Sequence, residues 1–95
     1  MSADEICLLA CISGRVQMVW YRAWTVEQAE KRGLSGWVRN RRDGAVEALF
    51  SGPAVEVDEM ISACRQGPPA ADVAGLSEHP CAPPEAEGFH ALPTE

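Results

Sequence analysis

The residues with the clearest chemical potential lie in a short loop between the first predicted strand and the first predicted helix. This loop runs from Gly14 to Trp20, and Arg22 follows it in the first helical turn. Backbone N–H groups at the start of a helix lack intrahelical acceptors and lie at the positive end of the helix dipole. An arginine there is unfavourable by a few tenths to about 1 kcal/mol, which a bound anion would offset. The loop therefore predicts a phosphate-type anion site, with an arginine that merely extends into solvent as the alternative.

Other phosphate and metal motifs do not fit the chain. The loop lacks the Gly-Lys-Ser/Thr ending of a P-loop, and its single glycine excludes the dinucleotide-binding fingerprint. The four cysteines include no Cys-x-x-Cys pair, and the two histidines, His79 and His90, stand apart, so we expect no metal site. Cys7 and Cys11 share a strand face but lie too far apart for an unstrained disulfide. We therefore expect reduced thiols.

Charge is distributed unevenly along the 95 residues, whose net charge is −6. Residues 1–42 contain seven basic and four acidic residues, a net charge of +3, whereas residues 43–95 contain one basic and ten acidic residues, a net charge of −9. The basic half includes the predicted anion loop and the residues around Asn40. The surplus of acidic residues outside this half disfavours a nucleic-acid partner and leaves a small phosphorylated acid as the expected ligand.

The length and composition indicate one small globular domain over residues 1–95. The hydrophobic fraction of 46% is too high for a disordered chain. The longest apolar run covers seven residues, 6–12, far short of the roughly 20 that a membrane-spanning helix needs. The acidic start is unlike a secretory signal, and we expect a cytoplasmic location.

Hydrophobic periodicity and turn residues predict the elements that position the loop. A buried strand is predicted over residues 5–13, and helices over 21–32 and from Pro53 to just before Gly67. Strands over 35–41 and 45–51 flank the Asp43-Gly44 turn. A further strand is predicted over 71–77, then a long loop over 78–88 and a short edge strand over 89–92.

This order predicts an α+β fold, a ferredoxin-like split βαβ sandwich with one antiparallel sheet and both helices on one face. The opposite sheet face would be open, and its apolar character suggests a monomer or a weak homo-oligomer formed through that face. The residues assigned to that face are Cys7, Leu9, Cys11, Trp37, Glu47 and Leu49.

Two segments resemble the signatures of the acylphosphatase family. The first is ISGRVQMVWYR, residues 12–22, and the second is GWVRN, residues 36–40, with Gly44, Val46 and Gly52 at matching spacings. The similarity continues through Gly33-Leu34 and Gly67-Pro68, so it covers most of the chain up to about residue 76. The family resemblance implies the same ferredoxin-like sandwich.

The resemblance also implies an activity, the hydrolysis of acyl phosphates to a carboxylate and inorganic phosphate, without metal, cofactor or covalent enzyme intermediate. By resemblance, Arg22 binds the phosphoryl oxygens and Asn40 orients the attacking water. The remaining phosphoryl contacts would come from the backbone N–H groups of the loop residues Arg15, Val16, Gln17, Met18, Val19 and Trp20.

The predicted fold is compatible with other functions. A split βαβ sheet also serves RNA-binding and metal-carrying modules, but the first strand has no aromatic residue for stacking bases and the first loop has no cysteine pair. A carbamoyl-phosphate-binding domain of a larger maturation enzyme is a closer alternative, although no cysteine-rich segment follows. A weakly active or inactive phosphate-binding module is a further alternative, because Met18 stands where the family usually has glycine.

We predict that Met18→Gly accelerates acyl phosphate hydrolysis. If position 18 requires a positive φ or a close approach to phosphate, a side chain there costs roughly 1 to 2 kcal/mol. Each ~1.4 kcal/mol at the transition state corresponds to about tenfold in rate, so the gain should be of that order. Steady-state assays of both proteins measure it, and an unchanged or lower rate would contradict the prediction.

Overall fold

The computed structural model describes residues 4–17 and 20–95 as five strands and two helices. Their order matches the predicted one. The elements are β1 (Glu5–Arg15), α1 (Tyr21–Lys31), β2 (Ser35–Asn40), β3 (Val46–Pro53), α2 (Ala54–Gln66), β4 (Asp72–Pro80) and β5 (Phe89–Ala91). None of the helices in the described residues is long and apolar enough to span a membrane.

The five strands form one sheet in the order β4-β1-β3-β2-β5. The four long strands pair antiparallel, as predicted, but β5 pairs parallel with β2, so the sheet is mixed. The wholly antiparallel sheet was therefore wrong for this one strand. The reason is topological: β4 ends beside the start of β1, at the end of the sheet where β2 also starts. A chain crossing to the far edge enters there and runs in the direction of β2.

The fourth strand is longer than predicted. Residues 78–80, expected in the long loop, pair with residues 8–10 of β1. This segment is polar and ends in Pro80, a pattern that is typical of loops. Because β4 is an edge strand, one side of its backbone needs no ladder partner and proline is tolerated there.

One hydrophobic core lies between the sheet and the two helices. Alternate residues of β1 and β3, the even-numbered ones from Ile6 to Ile12 and from Val46 to Phe50, belong to this core or pack against it. Both helices pack their buried residues against the same sheet face, as the predicted sandwich requires. The helix residues that are buried are Tyr21, Thr25 and Ala29 of α1, and Val57, Met60, Ile61 and Cys64 of α2.

The opposite sheet face is less open than the sequence suggests. Cys7, Glu47 and Leu49 are buried within the single chain. The Cys81 sulfur lies 2.8 Å from the Cys7 sulfur, and Arg39 pairs with the Glu47 carboxylate. Long side chains and the segment after β4 thus cover part of the surface to which self-association was assigned.

The end of β1 depends on a glycine. The register between β1 and β4 shifts between Ser13 and Gly14, and Gly14 has a φ of 115°. A Cβ at this position would lie 2.3 Å from the Asp72 carbonyl oxygen. Only glycine therefore lets the edge strand pass so closely while β1 bends toward the loop.

The start of α1 is fastened to α2 by a buried tyrosine. The Tyr21 hydroxyl donates to the Cys64 carbonyl oxygen at 2.6 Å, and Tyr21 is 1% exposed. The Thr25 hydroxyl in turn donates to the Tyr21 carbonyl at 2.7 Å. Burial raises the pKa of the Tyr21 hydroxyl well above its ordinary value of 10.0, because the phenolate would lose its hydration.

We predict that Tyr21→Phe lowers the free energy of unfolding by about 1 to 2 kcal/mol at pH 7, because the buried Cys64 carbonyl loses its donor. Since the pKa of Tyr21 is higher in the folded than in the unfolded state, its contribution is present below pH 10 and is lost as the pH rises further. Above pH 10, the free energy of unfolding should therefore fall less steeply with pH in the variant than in the wild type. Urea unfolding at several pH values tests both effects; equal stability and equal slopes would contradict the prediction.

Candidate active site

An open cleft lies where the loop after β1, the first turn of α1, the end of β2 and the strand β5 meet. Its volume is about 550 Å³. The lining brings together Arg22 and Asn40, which are 18 residues apart in sequence, with small and apolar neighbours. The residues that line it are Val16, Trp20, Tyr21, Arg22, Ala23, Asn40 and Ala91.

The backbone at the start of α1 is arranged to receive an anion. Trp20, the N-cap residue, is left-handed, with φ 64° and ψ 22°, and its side chain makes no capping hydrogen bond. The first helical hydrogen bond runs from the Trp24 N–H to the Trp20 carbonyl at 3.0 Å. The N–H groups of residues 21–23 therefore have no intrahelical acceptor. A left-handed residue next to such groups forms a concave nest that binds anions.

Arg22 is half-buried, and its guanidinium is held by the C-terminal segment. One of its Nη atoms donates to the Leu92 carbonyl oxygen at 3.2 Å. The Leu92 N–H donates to the Val38 carbonyl at 2.8 Å, which continues the pairing of the C-terminal segment along β2. A guanidinium has five N–H donors in a planar fork, so this one contact orients the group and leaves donors for a ligand.

Asn40 faces the cleft because it is the last residue of β2. Side chains alternate across a strand, so Asn40 shares the helix-covered face with the buried Val38, while Arg39 lies on the other face. The Asn40 backbone is fixed by pairing with Val46 and by a 3.0 Å hydrogen bond from the Glu95 N–H to the Asn40 carbonyl. The amide side chain is thus presented at a rigid strand end.

Gln17 joins the anion loop to the hairpin that follows Asn40. Its side-chain amide nitrogen donates to the Arg41 carbonyl oxygen at 2.6 Å and to the Ala45 carbonyl oxygen at 2.9 Å. The hairpin itself is closed by the Arg41 N–H, which donates to the Ala45 carbonyl at 2.8 Å. One side chain therefore links the loop that precedes α1 to the hairpin that follows Asn40.

The positive charge at the cleft comes mainly from Arg22 and the helix dipole. The Arg39 and Arg41 guanidinium groups contact one buried Glu47 oxygen at 2.7 and 3.3 Å, on the opposite sheet face. Arg39 also pairs with Glu95 at 3.0 Å. The basic sequence around Asn40 is therefore directed largely away from the cleft, which the segment charge could not reveal.

The remaining predicted loop residues lie in different surroundings. Val16 is fully buried at the base of the cleft and Trp20 is 83% exposed at its rim. Arg15 is exposed at the end of β1, opposite Asp72 of β4, and is outside the lining. Met18 and Val19 lie outside the described residues. Among the described residues no three potential metal ligands cluster.

Two supporting contacts had no counterpart in the sequence predictions. The loop residues were predicted to act through their backbones, which gave no indication that the Gln17 side chain would tie the loop to the hairpin. The contact with the Leu92 carbonyl was missed because every residue has a backbone carbonyl, so the residue type does not indicate which one accepts a hydrogen bond. The short strand predicted over 89–92 was the one available indication that the C-terminal segment approaches β2.

Comparisons with known proteins agree with this arrangement. The acylphosphatase family model matches residues 9–91. An acylphosphatase from Rhodospirillum rubrum is 58% identical over 87 residues, which cover 92% of this chain and 96% of that protein. The chain therefore belongs to the acylphosphatase family and is a hydrolase.

Solved structures support the same fold. An acylphosphatase from Bacillus subtilis superposes with a TM-score of 0.86 at 33% identity, covering 92% of this chain and 98% of that one. One from Coxiella burnetii superposes with a TM-score of 0.89 at 28% identity, covering 94% of each chain. The ferredoxin-like fold predicted from the sequence is confirmed.

We predict that Gln17→Ala lowers kcat/KM for acyl phosphate hydrolysis by about tenfold or more, because the spacing between loop and hairpin would relax. Gln17→Glu should be impaired as well, since a carboxylate cannot donate to the two carbonyl oxygens. Gln28→Ala is the matched control, because the Gln28 side chain contacts Arg32 at the far end of α1. Equal activity of the Gln17 and Gln28 variants would contradict the role of this contact.

Proposed function

We propose that this protein hydrolyses acyl phosphates, with Arg22 binding the phosphoryl group and Asn40 orienting the attacking water. The observation that carries the proposal is that Arg22, in the first turn of an uncapped helix, lines the same cleft as Asn40. A carboxyl-phosphate anhydride brings a negatively charged phosphoryl group, which this helix start attracts.

The phosphoryl group would sit over the start of α1. The loop N–H groups of residues 15–20 and the Arg22 fork would donate to its oxygens, with the Leu92 carbonyl holding the guanidinium in place. In phosphoryl transfer, the transition state spreads negative charge over the equatorial oxygens, so preorganised donors stabilise it without further reorganisation. Arg22 would therefore contribute both to binding of the phosphoryl group and to the rate of hydrolysis.

Asn40 would position water on the face of the phosphorus opposite the leaving carboxylate. Its side-chain oxygen can accept a hydrogen bond from water, and its neutral amide does not repel the phosphate as an aspartate would. Because Asn40 sits at a paired strand end, the water would be held in line with little loss of entropy at the moment of attack.

The leaving group explains why so few groups suffice. A carboxylate leaves without needing a proton, so no general acid is required, and the chemistry rests on position and charge. The proposed mechanism accordingly uses no metal or other cofactor. The residues around the acyl side, Trp20, Ala23 and Ala91, are apolar or small and would accept an organic group without selecting one carboxylate.

We further propose that residues 1–95 act as one acylphosphatase-like domain, since both helices and the sheet share one core. The partner would be a small acyl phosphate, with no nucleic acid or membrane involved. A monomer is the simplest state, because Cys7, Glu47 and Leu49 of the opposite sheet face are buried within the chain, and a weak homo-oligomer through the rest of that face is the alternative. A phosphate-binding module with little turnover is the alternative that Met18 leaves open.

The direct experiment is phosphate release from a synthetic acyl phosphate by the wild type, Arg22→Ala and Asn40→Ala, with a metal chelator present. We expect full activity of the wild type with the chelator. Arg22→Ala should lose about a thousandfold or more in kcat/KM, as expected for an arginine that stabilises phosphoryl transfer. Asn40→Ala should lose about a hundredfold, mainly in kcat, since it positions water and makes little contact with the ground state.

Arg15→Ala is the matched control for removing a positive charge near the loop, because Arg15 lies outside the cleft lining. The decrease in kcat/KM caused by Arg15→Ala should be much smaller than that caused by Arg22→Ala. Activity that needs a metal, or that survives both the Arg22 and Asn40 substitutions, would contradict the mechanism. Phosphate binding without turnover in the wild type would favour the binding-module alternative.

A further inference from the structure

Two cysteines meet at the opposite end of β1 from the cleft. The sulfur atoms of Cys7 and Cys81 lie 2.8 Å apart. Cys7 is 8% exposed, whereas Cys81, the residue after β4, is half-buried. The Cys7 sulfur also lies 3.3 Å from the Ala82 carbonyl oxygen, which accepts its hydrogen bond. Neither thiol has a role in the proposed hydrolysis.

The sheet register brings these residues together. Leu8 of β1 pairs with Pro80 of β4, so Cys7 and Cys81 are the next opposed pair. The Cys81 N–H donates to the Cys7 carbonyl at 3.2 Å, which extends the ladder by one step. Opposed residues of an antiparallel pair have Cα atoms about 4.5 to 5.5 Å apart, inside the range that a disulfide spans.

We propose that Cys7 and Cys81 are an oxidation site that closes to an intramolecular disulfide with a low-molecular-weight disulfide as oxidant, and that this bond stabilises the fold. The two sulfur atoms already lie 2.8 Å apart, so closure requires them to approach by less than about 1 Å. The other two cysteines are placed differently: Cys11 is half-buried farther along β1, and Cys64 is buried in α2.

The exchange proceeds in two balanced steps. The Cys81 thiolate attacks one sulfur of the external disulfide, which breaks that bond, forms a mixed disulfide and releases one small thiol. Cys7 then loses its proton to solvent and attacks the Cys81 sulfur, which releases the second small thiol as the new bond forms. The two cysteines are oxidised, and one external disulfide is reduced to two thiols.

Accessibility decides the order of attack. Burial, together with the neighbouring Cys81 thiol, raises the pKa of Cys7 to about 12, so Cys7 ionises little near neutral pH. The half-buried Cys81 is therefore the group that an external disulfide reaches first. Cys7 acts second, against a sulfur already in contact with it.

The bond would fasten the connection that crosses the sheet. Residues 81–88 link β4 at one edge to β5 at the other, and the segment after β5 holds Arg22 through the Leu92 carbonyl. Joining residue 7 to residue 81 closes most of the chain into one loop, which restricts the unfolded state strongly. Oxidation should therefore raise thermal stability while leaving the cleft residues in place.

The test compares the full chain after reduction and after incubation with oxidised glutathione. We expect the oxidised protein to lose the mass of two hydrogen atoms and to melt roughly 10 °C or more above the reduced form. A non-reducing tryptic digest should link the peptide that holds Cys7 to the peptide that holds Cys81. Adding a reducing agent should reverse both the link and the rise in Tm.

Two serine variants identify the bond. Cys7 and Cys11 lie in the same tryptic peptide, so Cys11→Ser must retain the link and the rise in Tm. Cys81→Ser, at a half-buried position, must lose both while its reduced form melts cooperatively. A stable glutathione adduct on Cys81 without closure, a link through Cys11 or Cys64, or an unchanged Tm after closure would overturn the proposal.

Discussion

The position of the first turn of α1 is the constraint on which the rest of the cleft depends, and the buried hydrogen bond from Tyr21 to the Cys64 carbonyl sets it. This bond, made by a side chain that is 1% exposed, ties the first turn of α1 to α2. Arg22 is the next residue, so its backbone begins at this anchored point, and the Leu92 carbonyl orients its guanidinium. The left-handed Trp20 before it turns the chain sharply enough for the helix to begin without a side-chain cap.

A second constraint is the link between the loop after β1 and the hairpin that follows Asn40. The loop after β1 and the hairpin after β2 are separated in the sheet by β3, and the Gln17 amide links them with two hydrogen bonds. The C-terminal segment closes the arrangement by contacting both Arg22 and the backbone of Asn40. A small domain with a thin core thus gains rigidity at the cleft from polar contacts with backbone groups.

The distribution of charge follows the alternation of β2. Arg39 and Arg41 are turned to the far sheet face, where they neutralise the buried Glu47. Arg22 is left as the cation of the cleft lining, next to the positive end of α1. A single oriented guanidinium favours one anionic group at one place, whereas a broad basic surface would attract polyanions without discrimination.

The sequence predicted most of this fold because its signals are local. The order of strands and helices was predicted from hydrophobic periodicity and from the Asp43-Gly44 turn, which depend on neighbouring residues, and it is confirmed. The parallel pairing of β5 and the extension of β4 to Pro80 were not predictable locally, because edge pairing is decided by backbone partners elsewhere in the chain.

The candidate site divides in the same way. Arg22 was predicted from its position in the first helical turn and from the family resemblance, Asn40 from the resemblance alone, and the structure brings them to one cleft. The contacts that hold them, from Gln17 and the Leu92 carbonyl, join segments 24 to 70 residues apart and leave no pattern in residue type. The Cys7 and Cys81 pair was hidden for the same reason, since only the β1–β4 register opposes the two residues.

The proposed phosphate site at the start of α1 and Arg22 can be tested by titrating the isotopically labelled full chain with inorganic phosphate and following backbone amide and arginine side-chain signals by NMR. We expect saturable shifts in the amides of residues 15–22 and in the Arg22 guanidinium, abolished by Arg22→Ala. Shifts confined to Arg39, Arg41 and Arg42, or no saturable shift at all, would contradict it.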